Sequence, residues 1–153
     1  MNINFLAALA ACVLAPALAQ EAQVELVLQV QSQANQLWAD VRLVNRATRP
    51  VLVPRDLATE DELTGRLFDI RDAATGVALD YQGMMVKRGP LTEEDFLQLA
   101  PGTSQHNRIE LSRSYAFPSG RHTYTISYAG HYRQEGREVP LTAAPVPFEH
   151  DAQ

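Results

Sequence analysis

The chain has 153 residues and a formal net charge of −5, with 13 Lys and Arg spread among 18 Asp and Glu. This mildly acidic balance, without a basic run, gives no electrostatic footprint for nucleic acid or for an anionic membrane. The single cysteine, Cys12, excludes an intrachain disulfide framework and any zinc site built on several thiolates.

Residues 1 to 19 carry no charged side chain. An apolar run from Phe5 to Leu14 leads to Ala17-Leu18-Ala19 before Gln20, a small-x-small cleavage pattern. The run is too short to anchor in a bilayer, so 1–19 reads as a signal peptide removed on export to the periplasm or medium. Leu9-Ala10-Ala11-Cys12 also spells a lipoprotein cleavage box, with an unusually short apolar region ahead of it. The remainder is one domain's worth of chain, enough to bury a core without staples. A β domain is expected over 20–145 and a flexible tail over 146–153.

Val24, Leu26, Leu28 and Val30 alternate with polar residues, and Leu37, Ala39, Val41 and Leu43 repeat the pattern. Period two marks half-buried strands, and the short polar segment Ser32–Gln36 makes them a hairpin. Val51–Val53 is a third strand, expected at an edge because Pro50 and Pro54 bracket it. Arg55 to Gly65 is expected as an acidic loop or a loose helical turn. Strands follow at Leu67–Arg71, Val77–Tyr81 and Met84–Lys87, the last two separated by a bend at Gly83.

Thr92 followed by Glu93, Glu94 and Asp95 predicts a capped helix start, with Leu91 and Phe96 as a hydrophobic staple. This places a short helix at about 92–100, ended by Pro101-Gly102. Thr103–Leu111 and His122–Ala129 are further strands, and a last edge strand is expected near Val139–Thr142. Many short strands with one small helix predict an all-β fold, an immunoglobulin-like antiparallel β-sandwich.

No catalytic constellation emerges. His106, His122, His131 and His150 fall outside the two-histidine helical frame of a zinc peptidase. His122 and His131 are candidates to approach across a hairpin, but solvent-facing strand positions explain them as well. Ser112, Ser114 and Ser119 lack a nucleophile elbow. Asp56, Glu60, Asp61 and Glu62 do not follow the spacing of a calcium loop and read as a solvated acidic loop. No cofactor site and no metal site are expected. Tyr124, Ile126 and Tyr128 form a core face, with Tyr124 a candidate for a tyrosine corner; Trp38 falls on the opposite face of its strand and is expected to be half exposed.

One segment stands apart. Tyr81 to Ala100 carries the only lysine of the chain, Lys87, beside Arg88 and close to Met85. Together with Leu43-Val44-Asn45-Arg46, Val51-Leu52-Val53, Leu67-Phe68-Asp69-Ile70, Asp95-Phe96-Leu97-Gln98-Leu99-Ala100-Pro101-Gly102 and Tyr124-Thr125-Ile126-Ser127-Tyr128, it resembles a known family. The likeness is to the N-terminal pro-domain of bacterial secreted deuterolysin-type (aspzincin) zinc endopeptidases, and it runs from Val24 to Tyr128. The chain departs from those precursors in carrying no zinc-binding helix of a catalytic domain. The resemblance therefore implies a free-standing, non-enzymatic module that inhibits or helps fold a zinc endopeptidase. Peptidases of this type favour lysine just after the cleaved bond. Lys87 is then the expected substrate-mimicking contact, with Arg88, Met85 and Tyr81 as partner-binding neighbours. The alternative is a generic immunoglobulin-like module for another envelope protein or a glycan, contacted through Trp38 or an edge strand.

Overall fold

A computed structural model describes residues 23–153. The segment expected as a signal peptide and the Cys12 box lie outside the described residues. Two antiparallel sheets make an all-β sandwich.

The first sheet has the order β1-β2-β6, from Val24–Gln33, Gln36–Asn45 and Ser104–Glu110. Ala34 and Asn35 join β1 to β2, and both have positive φ, at 49° and 67°. That is the geometry of a tight two-residue turn whose twist matches the strands. Leu37, Ala39, Val41 and Leu43 are buried on one face, as the alternation demands, while Trp38 is half-buried on the other. The second sheet is built on β7 (Gly120–Gln134) and β8 (Arg137–Ala152), joined by another positive-φ pair, Glu135 and Gly136. β4 (Asp69–Asp72) pairs with β7 at Tyr124–Ser127, and β3 (Val51–Pro54) touches it only at Leu52↔Arg133. β5 (Phe96–Leu99) then pairs with β3.

Several sequence expectations need correction. Residues 146–152, expected as a flexible tail, are the second half of β8 and pair with Gly120–Ile126. Alternation resumes there, with Phe148 and His150 buried, so the tail has a face to bury. Its prolines are tolerated because, among the described residues, β8 has a partner on one side only, and Pro145 falls in the irregularity where Ile126↔Val146 gives way to Tyr128↔Ala143. β3 is not an edge strand, since it lies between β5 and β7. Val77–Tyr81 and Met84–Lys87 are not strands; only the single bridges Arg71↔Ala78 and Tyr81↔Tyr115 form there.

The helix expected over 92–100 shrinks to one 3₁₀ turn, Glu93–Asp95, followed by strand β5. The cap itself forms: the Thr92 amide donates to Asp95 Oδ2 at 2.7 Å. Propagation fails because the segment is too short to hold a helix alone. The Arg55 guanidinium, at the start of the single turn α1 (Arg55–Ala58), also draws off the carbonyls of Glu94 and Phe96 at 2.9 and 3.0 Å. Leu91, expected to staple that helix, is 54% exposed.

Tyr124 is buried against Phe117 and Phe148, but its hydroxyl finds no hydrogen-bond partner. The corner-like bond belongs to Tyr115 instead. Its hydroxyl donates to the Phe68 carbonyl at 2.8 Å and accepts from the Phe68 amide at 3.1 Å. Buried Asn45 closes the β2–β3 connection, donating to the Arg49 and Leu99 carbonyls and accepting from the Ala47 amide.

Candidate functional site

Between the Tyr81↔Tyr115 bridge and β5 the chain leaves the sandwich as a loop. Its side chains reverse the usual rule for surfaces. Met84, Met85 and Val86 are exposed, Met85 by 76%, and Lys87 and Arg88 follow them into solvent. With Leu91 they form a run of large apolar groups carrying two adjacent cations. Isolated exposed apolar residues are ordinary, whereas a contiguous run on one loop is a candidate contact surface.

The loop is held from below. Val86 donates its amide to the Thr64 carbonyl at 3.0 Å, and Arg88 hydrogen-bonds the Thr64 hydroxyl. The Tyr81 hydroxyl donates to the Met84 carbonyl at 2.7 Å and lies 3.2 Å from that of Leu63. The Tyr81 ring meets Tyr115 edge-on at 5.4 Å, which roots the post in the core. Burial pushes its hydroxyl above the usual tyrosine range. Gly83 leaves space for this ring, since a Cβ at that position would fall 2.7 Å from the Tyr81 hydroxyl oxygen. The four sequence-predicted contact residues thus divide: Met85, Lys87 and Arg88 share the exposed ridge, while Tyr81 is a half-buried post beneath it.

A second feature lies against the base of the ridge. On the edge of β7 facing β3 and β4, pairing stops at Ser127 and resumes only at Arg133. A cavity of about 260 Å³ fills this notch. Tyr128, Gly130, Phe96, Leu91, Arg88 and Asp56 contribute to its walls. Asp56 belongs to α1, and its Oδ1 is buried without a hydrogen-bond partner. Burial raises its carboxyl above the ordinary aspartate value, outweighing the Arg88 cation, which favours the charged form. Burial and the Asp56 charge together push the Tyr128 hydroxyl far above its usual range. Tyr128 lies over Gly130, where a Cβ would come 2.2 Å from its hydroxyl oxygen.

Sequence reasoning sets Asp56 aside as part of a solvated acidic loop and places Tyr128 simply in the core. One signal is available: Tyr81-x-Gly83 and Tyr128-x-Gly130 repeat a pattern in which glycine makes room for a tyrosine two positions earlier. His122 and His131 are not brought together. They stand nine residues apart on one strand, and His122 pairs in register with His150. Among the described residues, no three His, Cys, Asp or Glu converge as metal ligands.

Trp38 lies on the outer face of the first sheet, with the Arg108 guanidinium 5.0 Å from its ring centroid and Arg108 ion-paired with Asp40 at 3.0 Å. A shallow depression on this face is lined by Gln29, Gln31, Arg42 and His106.

No family model matches the sequence, and no curated protein matches it. Among solved structures, the chain is similar to one described as the X-ray structure of Northeast Structural Genomics Consortium target SoR45. The two share 14% identity with a TM-score of 0.46, over 88% of this chain and 90% of the other.

Proposed function

We propose that this chain is an exported, non-enzymatic binding module that engages a zinc endopeptidase through the Met84–Arg88 ridge, as inhibitor or folding partner. The observation that carries the reading is the ridge itself. A substrate-like inhibitor needs an exposed segment whose side chains are free to enter a partner's pockets and whose backbone is already held. Here the backbone is held by Tyr81 and Thr64, while Met84, Met85 and Lys87 point away from the core. Preorganisation of this kind lowers the ordering cost of association. Full burial of one methionine side chain contributes about 1.5–3 kcal/mol, so a few anchors can dominate the interface. Lys87 supplies the charged anchor, and the resemblance to an aspzincin pro-domain supplies the partner.

The test is capture from the native exported fraction on immobilised wild-type protein and on Lys87→Ala, with mass spectrometry and zinc determination of what is retained. The expected result is a zinc endopeptidase held by the wild type and lost, at least tenfold, with the variant. Equal recovery by both removes Lys87 from the mechanism, and recovery of no peptidase by either rejects the partner.

A second reading rests on the outer face of the first sheet. There the half-buried Trp38 and the polar side chains of Gln29, Arg42 and His106 offer a flat amphipathic surface for another envelope protein or a glycan. Trp38→Ala then abolishes partner capture, and Lys87→Ala leaves it intact.

A further inference from the structure

We infer that the notch in the β7 edge is a binding pocket for an alkylammonium or guanidinium group, with Asp56 receiving the cation and Leu91, Phe96 and Tyr128 enclosing its stem. The inference stands independently of the ridge's partner.

Most of the charged side chains around the cavity have hydrogen-bond or ion-pair partners. Arg133 is paired with Glu138 at 3.4 Å and lies over the Phe96 ring at 4.3 Å. Asp95 is spent on the Thr92 amide and hydroxyl. Arg88, the nearest cation to Asp56, gives its guanidinium to Thr64. Asp56 keeps one carboxylate oxygen, Oδ1, buried and unpartnered among the described residues. The Leu57 amide and its own amide favour the charged form, but burial outweighs them, and a buried polar atom left without a donor is costly. A residue that costs stability and lies in a cavity is a candidate for ligand contact.

The chemistry of the walls selects the ligand. The cavity is far larger than the roughly 30 Å³ share of one water. A hard metal ion would need several oxygen ligands, and among the described residues no three His, Cys, Asp or Glu side chains come together to hold one. An organic cation needs one carboxylate for its head and apolar or aromatic surface for its stem, and Pro54, Leu91, Phe96 and Tyr128 provide that surface. Gly130 keeps the space open, since any side chain there would collide with Tyr128.

The experiment is an amide chemical-shift titration of the mature protein with cadaverine, with N-acetyl-lysine amide, and with 1-pentanol as the uncharged counterpart. Saturable shifts at Gly130, His131 and Leu91 are expected with the cations and not with pentanol. Asp56→Asn keeps the shape and removes the charge, and is expected to weaken binding at least tenfold. Leu91→Ala, at an exposed wall where folding is not at stake, is expected to weaken it severalfold. Saturation by cadaverine alone assigns the pocket to free amines, and saturation by blocked lysine assigns it to a basic side chain. Either upholds the proposal. Lack of a saturable response to both cations, an equal response to pentanol, or affinity unchanged in both variants overturns it.

Discussion

The chain contains the same three-residue device twice, put to two uses. In Tyr81-x-Gly83 and Tyr128-x-Gly130, a tyrosine folds along its own strand direction over a glycine two residues on. At the first, the hydroxyl is bonded to the Met84 carbonyl, and the ring is a post under an exposed loop. At the second, the ring is 6% exposed, and its hydroxyl faces the charge of Asp56 across a cavity. One steric solution therefore serves a structural support where its polar end is satisfied, and lines a chemically unsettled site where a buried carboxylate is left over. The local pattern identifies the geometry; the surroundings decide its role.

The sharpest way to break this comparison is to fill the two glycines. Gly130→Ala places a Cβ 2.2 Å from the hydroxyl oxygen of a buried ring, so overpacking should cost about 2–3 kcal/mol, read from chemical denaturation. At Gly83 the nearest atoms belong to a half-buried ring with room to swing, and the cost should be about 1 kcal/mol. Equal losses at the two sites would mean that the tyrosines are equally confined. Lys87→Ala should leave stability within about 0.5 kcal/mol while weakening capture of the partner, because its side chain is exposed on the ridge.

A second pair sharpens the distinction between satisfied and unsatisfied tyrosines. Tyr115→Phe strips both the amide and the carbonyl of buried Phe68 of their partner and should cost about 2 kcal/mol. Tyr124→Phe removes a buried hydroxyl that has no partner and should be neutral within about 0.5 kcal/mol or slightly stabilising. Thermal denaturation of the two variants checks the ranking.

Much of the sandwich is legible in the sequence because its signal is local. The period-two runs at Val24–Val30 and Leu37–Leu43 name both the strands and their buried faces. The same alternation leaves Trp38 half exposed, as the structure has it. What escapes is decided by partners distant in sequence. Thr92–Asp95 has a sound helical cap, yet β3 and Arg55, some forty residues upstream, convert Phe96–Leu99 into a strand. The prolines of the C-terminal segment suggest fraying, but pairing with β7 orders it to Ala152. The ridge is legible through its lone lysine. The notch is not, because an orphaned carboxylate becomes visible only when burial and hydrogen-bond partners are known.

Titration separates the two ends of β7 by sign. At the notch, the folded-state value of Asp56 lies above its unfolded value, so the folded protein holds this proton more tightly. Its contribution to stability is fully present below the ordinary aspartate value of 3.8 and is lost as pH rises through the raised value. At the other end, His150 packs 4.9 Å from the Phe117 ring, and burial lowers its value below 6.5. Its contribution is present above 6.5 and is lost as pH falls through the lowered value. Asp56→Asn should therefore remove the fall in stability just above 3.8, and leave both the rise below it that the lowered carboxyls of Asp72 and Asp95 supply and the slope just below 6.5 intact. His150→Gln should remove that slope and leave the acidic part unchanged. Denaturation midpoints across this pH range compare the two. Were one substitution to remove both slopes, the ends of β7 would be coupled through the strand, and the notch could not be treated as a local site.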